Sequence, residues 1–173
     1  MSLGEPESLD GKRRRDKERE CRGIRSTSST ARQTPSREGA PGDRGTAARV
    51  GSKVGGERLG MSVYDLPAGE AIGPYHAELT DEEWVIVVHG HVIVRTPEGD
   101  RALASGDVLC FPVGPDGAHV VRNGSDEPAR VAIISTKNEF CIVEYPEDAR
   151  LQLWAGDAHY MLDLPAGTRP VSG

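Results

Sequence analysis

From Arg58 onward, glycine, proline and small polar residues cut the chain roughly every five to ten residues, and no apolar period of 3.6 residues survives between the cuts. Pro67-Ala68-Gly69, His89-Gly90-His91, Pro97-Glu98-Gly99, Ser105-Gly106-Asp107 and the loop 112–118 supply the punctuation. The pieces between are too short for a helix to bury a stripe, and they are rich in β-branched residues. Leu59, Met61 and Val63 alternate with Gly60, Ser62 and Tyr64, which is strand periodicity. Further strands are expected at 72–76, 84–88, 92–96, 101–104, 108–111, 119–122, 129–136, 140–144 and 151–154. The expectation is an all-β chain, a sandwich or a barrel, with no internal repeat.

The same point is a compositional boundary. Residues 1–57 carry thirteen Lys+Arg against nine Asp+Glu, net +4, and no aromatic residue. The remainder carries eight against eighteen, net −10, with all five His and every Phe, Trp and Tyr. The scattered Leu, Ile and Val of 1–57 cannot bury enough apolar surface to offset chain entropy. Residues 1–57 are therefore expected to be a disordered basic and polar tail, 58–164 a β-barrel and 165–173 a C-terminal tail. The run KRRRDKERECR at 12–22 could form a short charged helix, but acidic residues interrupt it and no aromatic accompanies it, so nucleic acid is not an expected partner.

No stretch nears the ~18 apolar residues of a membrane span, and no apolar leader opens the chain, so no membrane contact is expected. Cys21, Cys110 and Cys141 are odd in number and lack metal-binding spacing, which fits a reducing compartment. A cytoplasmic protein is the expectation. Cys110, inside the apolar run VLCF, reads as a small core residue. The strand at 84–88 has Val85 and Val87 on one face and Trp84, Ile86 and Val88 on the other. Both faces are apolar, so a tail, a second layer or a partner chain must cover the outer one; a homodimer is the expectation unless the segment 151–164 is the cover.

Candidate chemistry sits in two stretches. PYHAELTDEEWVIVVHG at 74–90 sets His76, Glu78 and Glu83 ahead of an apolar strand, and GDVLCFPVGPDGAHVVRN at 106–123 adds His119. Neutral imidazole and carboxylate are good ligands for divalent transition metals, and residues two apart on a strand, such as His76 and Glu78, share a face. Glu82 falls on the opposite face from Glu83 and reads as solvent-exposed. His89 lies ~20 Å along the strand from Glu83 at ~3.3 Å per residue. It reads as a turn residue, His91 and His159 as surface residues, Tyr75 and Trp84 as packing, and Asp107 as a cap on local backbone N–H groups.

His76, Glu78, Glu83 and Gly90, followed by Gly106, Pro112, Gly114, His119 and Asn123, resemble the two motifs of the cupin superfamily, and the resemblance covers roughly 58–154. PYH…EEW, RTPEGD and EYPED are similar to a bacterial branch of small single-domain cupins. The resemblance implies a jelly-roll β-barrel that binds one divalent transition metal (Mn, Fe, Ni or Zn) through His76, Glu78, Glu83 and His119. Glu78 stands where the family usually has a second His. With four ligands the set is two His and two carboxylates, formally neutral with a divalent ion. With Glu78 turned away, His76, Glu83 and His119 resemble the facial triad of non-haem Fe(II) oxygenases. A barrel that binds no metal is the other reading.

Two functions follow from the resemblance. One is a metal-dependent enzyme on a small polar ligand in the barrel, an isomerase or epimerase, a dioxygenase or a decarboxylase, with Glu78 the one candidate base where it is not a ligand. The other is a non-catalytic module that binds or senses a small molecule. No helix-turn-helix precedes the barrel, which argues against a transcription regulator, and no nucleophilic triad or phosphate-cradling glycine loop is present.

Overall fold

The computed structural model describes residues 46–168. Twelve strands follow one another: β1 (Thr46–Arg49), β2 (Leu59–Leu66), β3 (Ala71–Glu78), β4 (Glu83–His89), β5 (His91–Thr96), β6 (Gly99–Ala104), β7 (Val108–Phe111), β8 (His119–Arg122), β9 (Ala129–Thr136), β10 (Phe140–Tyr145), β11 (Arg150–Ala155) and β12 (Ala158–Asp163). Two one-turn 3-10 segments, Ser52–Val54 and Pro115–Gly117, interrupt them. The strands form a five-stranded sheet in the order β1-β2-β9-β4-β7 and a seven-stranded sheet in the order β12-β11-β10-β3-β8-β5-β6. This is the expected all-β jelly-roll barrel.

Period-2 alternation decides what each strand turns inward. Val85 and Val87 of β4, Val131 and Ile133 of β9 and Leu66 of β2 meet Val92 and Val94 of β5 and Val121 of β8 across the two sheets. Each such side chain taken fully out of water stabilises the fold by about 1.5–3 kcal/mol. The same inner faces change character along their length. β2 runs inward as Gly60, Ser62, Tyr64, Leu66, β9 as Ala129, Val131, Ile133, Ser135, and β4 as Glu83, Val85, Val87. Register aligns the polar ends, Gly60↔Ser135 and Ser135↔Glu83, so the barrel has one dry end and one polar end. The site lies at the polar end.

Two motif residues act on the backbone. Gly90 joins β4 to β5 at φ +83°, and a Cβ there would lie 3.0 Å from Ala129 Cα and Pro128 O, so both conformation and space demand glycine. Asn123 is buried, donates from Nδ2 to Leu66 O (2.9 Å) and Glu127 O (2.8 Å), and accepts at Oδ1 from Ser125 N and Oγ. It locks the turn into β9.

The structure departs from the sequence reading at the following elements. β1 lies inside the stretch expected to be disordered and pairs with β2 in the register Thr46↔Asp65 to Arg49↔Ser62, so ordered chain begins before Arg58. Residues 1–45 of the expected tail, including the run 12–22 and Cys21, lie outside the described residues, as do 169–173. β12 was not expected, and it pairs with β11 across the two-residue turn Gly156-Asp157. Cys110 pairs with Trp84 on the outer face of the five-stranded sheet and is only half-buried, so it is not a core residue. That outer face also carries Leu59, Val88 and Val108, each about half exposed. Among the described residues no helix is long and apolar enough to cross a membrane.

Candidate metal centre

Three strands deliver the candidate ligands. β3 pairs with β8, but its register shifts between Ile72 and His76, over the stretch that contains Gly73 at φ +59° and Pro74. The irregularity brings His76 directly opposite His119, and directly opposed residues share a sheet face. Their ring centroids are 4.7 Å apart. Glu83, the first residue of β4, enters from the other sheet. The loop before His119 is held tight by Gly117, where a Cβ would stand 1.8 Å from Pro112 O. His119 itself is buried and stacks on Phe111 with centroids 3.5 Å apart and planes 5° from parallel.

Both imidazoles are locked the same way. His76 Nδ1 lies 2.9 Å from Pro74 O and His119 Nδ1 lies 2.9 Å from Gly117 O. A carbonyl can only accept, so each Nδ1 carries a proton, and in the neutral ring each Nε2 keeps its lone pair. Nε2 of His119 is 3.4 Å and Nε2 of His76 4.0 Å from Glu83 Oε2. Ligands ~2.1 Å from one ion stand about 3.0–3.4 Å apart in octahedral or tetrahedral geometry. His119 and Glu83 already stand at the tetrahedral spacing, and His76 and Glu83 would close by about 0.6–1.0 Å around a divalent ion. Burial, then the neighbouring His119, holds His76 below its ordinary pKa, which keeps it neutral and able to ligate.

Glu78 shares the cavity but keeps different company. Its Oε1 is 4.0 Å from His76 Nε2, while its Oε2 accepts from Cys141 Sγ at 3.6 Å. Burial first, then Glu83 and Asp81, pushes its carboxyl up to about 8. The Cys141 thiol is pushed up as well, by burial and then Glu78, so it stays protonated and donates. Glu78, Asp81 and Cys141 form a second group within metal-ligand reach. Asp81, however, already accepts from Thr80 Oγ1, Thr136 Oγ1 and Asn138 Nδ2, and those bonds pin the loop between β3 and β4 to the end of β9. Its role is structural.

The cavity at this end encloses about 580 Å³. Tyr145, Trp154, Cys141 and Val143 from β10 and β11 form one wall, and Met61, Ser62 and Ser135 from the opposite sheet form another. None of these was marked in the sequence as a site residue, because β10 reaches β3 only through sheet order. Tyr145 donates to Gln152 Oε1 (2.6 Å), and Gln152 in turn contacts His159 Nε2 (2.7 Å). His159, read from sequence as a surface residue without a partner, also stacks on Trp154, so it fixes the wall from behind. Glu82, expected to be solvent-exposed, is half-buried and accepts from the Trp84 indole (2.7 Å), and Trp84, expected to pack, is 41% exposed. Tyr75 packs under Arg95 and Asp107 caps Ala104 N (2.8 Å), as expected.

The cupin domain family matches over residues 62–135, a span that contains all four expected ligands. No curated protein matches the sequence. A putative sugar phosphate isomerase from Acidithiobacillus ferrooxidans superposes with TM-score 0.68 at 22% identity, covering 77% of this chain and 84% of its own. A sugar phosphate isomerase of the cupin superfamily from Silicibacter pomeroyi superposes with TM-score 0.65 at 20% identity, covering 73% and 79%. A predicted oxalate decarboxylase from Thermotoga maritima gives TM-score 0.52 at 16% identity, covering 62% and 96%. At these identities the likeness speaks to fold. Barrel and motif residues agree with the matched family: residues 62–135 are a cupin domain.

Proposed function

We propose that this protein is a metal-dependent cupin that moves a proton on a small polar molecule held in the barrel, in a reaction of the isomerase or epimerase type. His76, Glu83 and His119 would hold one divalent transition ion, Mn, Fe, Ni or Zn. The observation that carries this is the pair of Nδ1-to-carbonyl hydrogen bonds, which leaves two Nε2 lone pairs facing one carboxylate. Such an ion supplies Lewis-acid polarisation of a bound carbonyl or hydroxyl oxygen. Glu78 is the proton carrier, because it lines the same cavity beside the trio while its second oxygen is held by Cys141 rather than by another ligand. Phe111 backs the His119 ring, and the wall from Tyr145 to Trp154 bounds the space for the substrate.

The trio alone would equally serve oxygen chemistry, and the carboxyl of Glu78 is what favours proton transfer. Elemental analysis of desalted protein tests the first half: about one equivalent of transition metal is expected, lost in Glu83→Ala and His119→Ala. The second half is read by NMR in deuterium oxide over a panel of C3–C6 aldoses, ketoses and their phosphates. Deuterium incorporation into one of them, abolished by Glu78→Gln with metal retained, is expected. Tight binding of a panel member without exchange would instead make the protein a non-catalytic binding module.

A further inference from the structure

The cavity is lined by charged groups that the metal reading does not use. Every described arginine from Arg95 onward is ion-paired: Arg95 with Glu147, Arg101 with Glu98, Arg122 with Asp100, Arg130 with Asp65 and Arg150 with Asp163. Arg49 and Lys137 have no acidic partner among the described residues, and both line the cavity. Lys53 and Arg58 are also unpaired but stand outside its wall.

Register explains how the two cations come to face one space. Arg49 on β1 is directly opposite Ser62 on β2, and Lys137 follows Ser135 by two residues at the end of β9, so each continues an inner face. Between them lies Gly60, where a Cβ would stand 2.9 Å from Ser135 Oγ and 3.9 Å from Lys137 Cγ. The absent side chain leaves the floor open beneath the lysine stem. The hydroxyls of Ser62 and Ser135 line the same floor, with no hydrogen-bond partner among the described residues. His76, Glu78 and Glu83 line the same cavity, with Glu83 directly opposite Ser135 across β4 and β9. One cavity is thus lined both by candidate metal ligands and by two cations suited to negative charge.

We propose that Arg49 and Lys137 form an anion subsite, so that the molecule acted on is a short polyol or hydroxycarbonyl compound with a terminal phosphate or carboxylate held away from the metal. This deepens the proposed function and rests on its placement of the reacting end. An anion receiving hydrogen bonds from a guanidinium and an ammonium, with serine hydroxyls completing the shell, is bound by charge-assisted contacts roughly twice as strong as neutral ones. It also makes β1 part of the site, since without that strand the cavity keeps only one of its two cations.

Isothermal calorimetry on the full chain tests the subsite, with glycerol 3-phosphate, glycerate and glycerol as probes and sulfate as a small anion without a carbon skeleton. Ionic strength is held constant with chloride, and metal content is measured on the same samples. The charged probes should bind at least about tenfold more tightly than glycerol, a difference of 1.4 kcal/mol. Arg49→Gln and Lys137→Gln should each weaken the charged probes about tenfold, with glycerol binding and metal content unchanged. Lys53→Gln should change nothing. Glycerol 3-phosphate ahead of glycerate assigns the subsite to phosphate, and the reverse order to carboxylate. Charged and neutral probes binding alike, anion binding indifferent to both substitutions, or no saturable binding of any anion, sulfate included, overturns the proposal. Anion binding that depends on Arg49 and Lys137 in protein that takes up no metal would sink the metal reading and leave the subsite standing.

Discussion

His119→Ala separates the two roles of one side chain. The ring is 3% exposed, lies on Phe111 at 3.5 Å and donates from Nδ1 to Gly117 O, so it packs as well as ligates. Truncation removes an aromatic stack worth about 0.5–1.5 kcal/mol and a hydrogen bond worth about 1 kcal/mol. With the cavity left behind, metal-free protein should lose about 2–4 kcal/mol in total. At roughly 3–5 °C per kcal/mol for a body of this size, Tm should fall by about 10 °C. Metal affinity should fall further than the 10–100-fold typical of losing a hydrogen-bonded partner behind a ligand. Wild-type protein with metal at 100 times Kd gains about 2.7 kcal/mol, a shift of similar size upward, and the variant should gain nothing. His76→Ala is the control. Its ring is 16% exposed and has no such stack, so metal loss should be equal but the metal-free Tm change clearly smaller. Scanning calorimetry with and without Mn, Ni or Zn reads both quantities. Equal metal-free melting of the two variants would refute the packing argument, and a metal-dependent shift retained in His119→Ala would refute the ligand assignment.

Three further outcomes follow from the same structure. In metal-free protein the Glu78 carboxyl is raised from 4.5 to about 8, so the folded state holds a proton that the unfolded state releases. That stability is fully present below about pH 4.5 and is lost as pH rises through about 8. Urea unfolding at pH 5 and pH 8.5 should show the decline, and Glu78→Gln should flatten it; an unchanged slope would mean that Glu78 titrates normally. A chain starting at Arg58 should melt several degrees below one starting at Thr46, because it lacks the β1 pairing and the Val50 and Gly51 N–H bonds to Met61 O (2.9 and 3.0 Å); equal melting would make β1 dispensable. Light scattering should give a dimer through the outer face of Trp84, Ile86 and Ile134, with Ile134→Glu dissociating it; a monomer mass for wild type across micromolar concentrations would end that expectation.

The parts of the fold that could be read in advance are those specified by local pattern. β4 and β9 announce themselves by β-branched alternation, and Gly90 and Gly106 by the turns that only positive φ allows. β1 could not be read, because Thr-Ala-Ala-Arg has no strong strand preference and is held by its partner rather than by its own residues. β12 is legible from its turn: Gly156-Asp157 between two six-residue runs is ordinary hairpin chemistry. The candidate trio was visible from spacing, since His76, Glu83 and His119 each sit at or near a strand end. Arg49, Cys141, Tyr145 and Trp154 were not, since sequence order does not say that β10 lies beside β3 or β1 beside β2.

Replacing Glu78 by histidine tests the difference between ligand and proton carrier most directly. Glu78 follows His76 by two residues on β3, so a side chain there faces the trio whatever its identity. The carboxylate now stands 4.0 Å from His76 Nε2 and leans toward Cys141. An imidazole adds a neutral donor to two His and one Glu, so a divalent ion would keep one net positive charge where a fourth, ionised carboxylate would cancel it. If Glu78 is the proton carrier, Glu78→His should hold metal at least as tightly as wild type, with tightening on the order of tenfold, and should lose deuterium exchange into whichever sugar wild type labels. If Glu78 is instead an essential ligand, Glu78→Ala should lose metal as completely as Glu83→Ala. Competition against a chelator of known affinity separates these outcomes. Complete metal loss in Glu78→Ala, alongside full retention in Glu78→His, would make this a four-ligand site and leave the proton to another group.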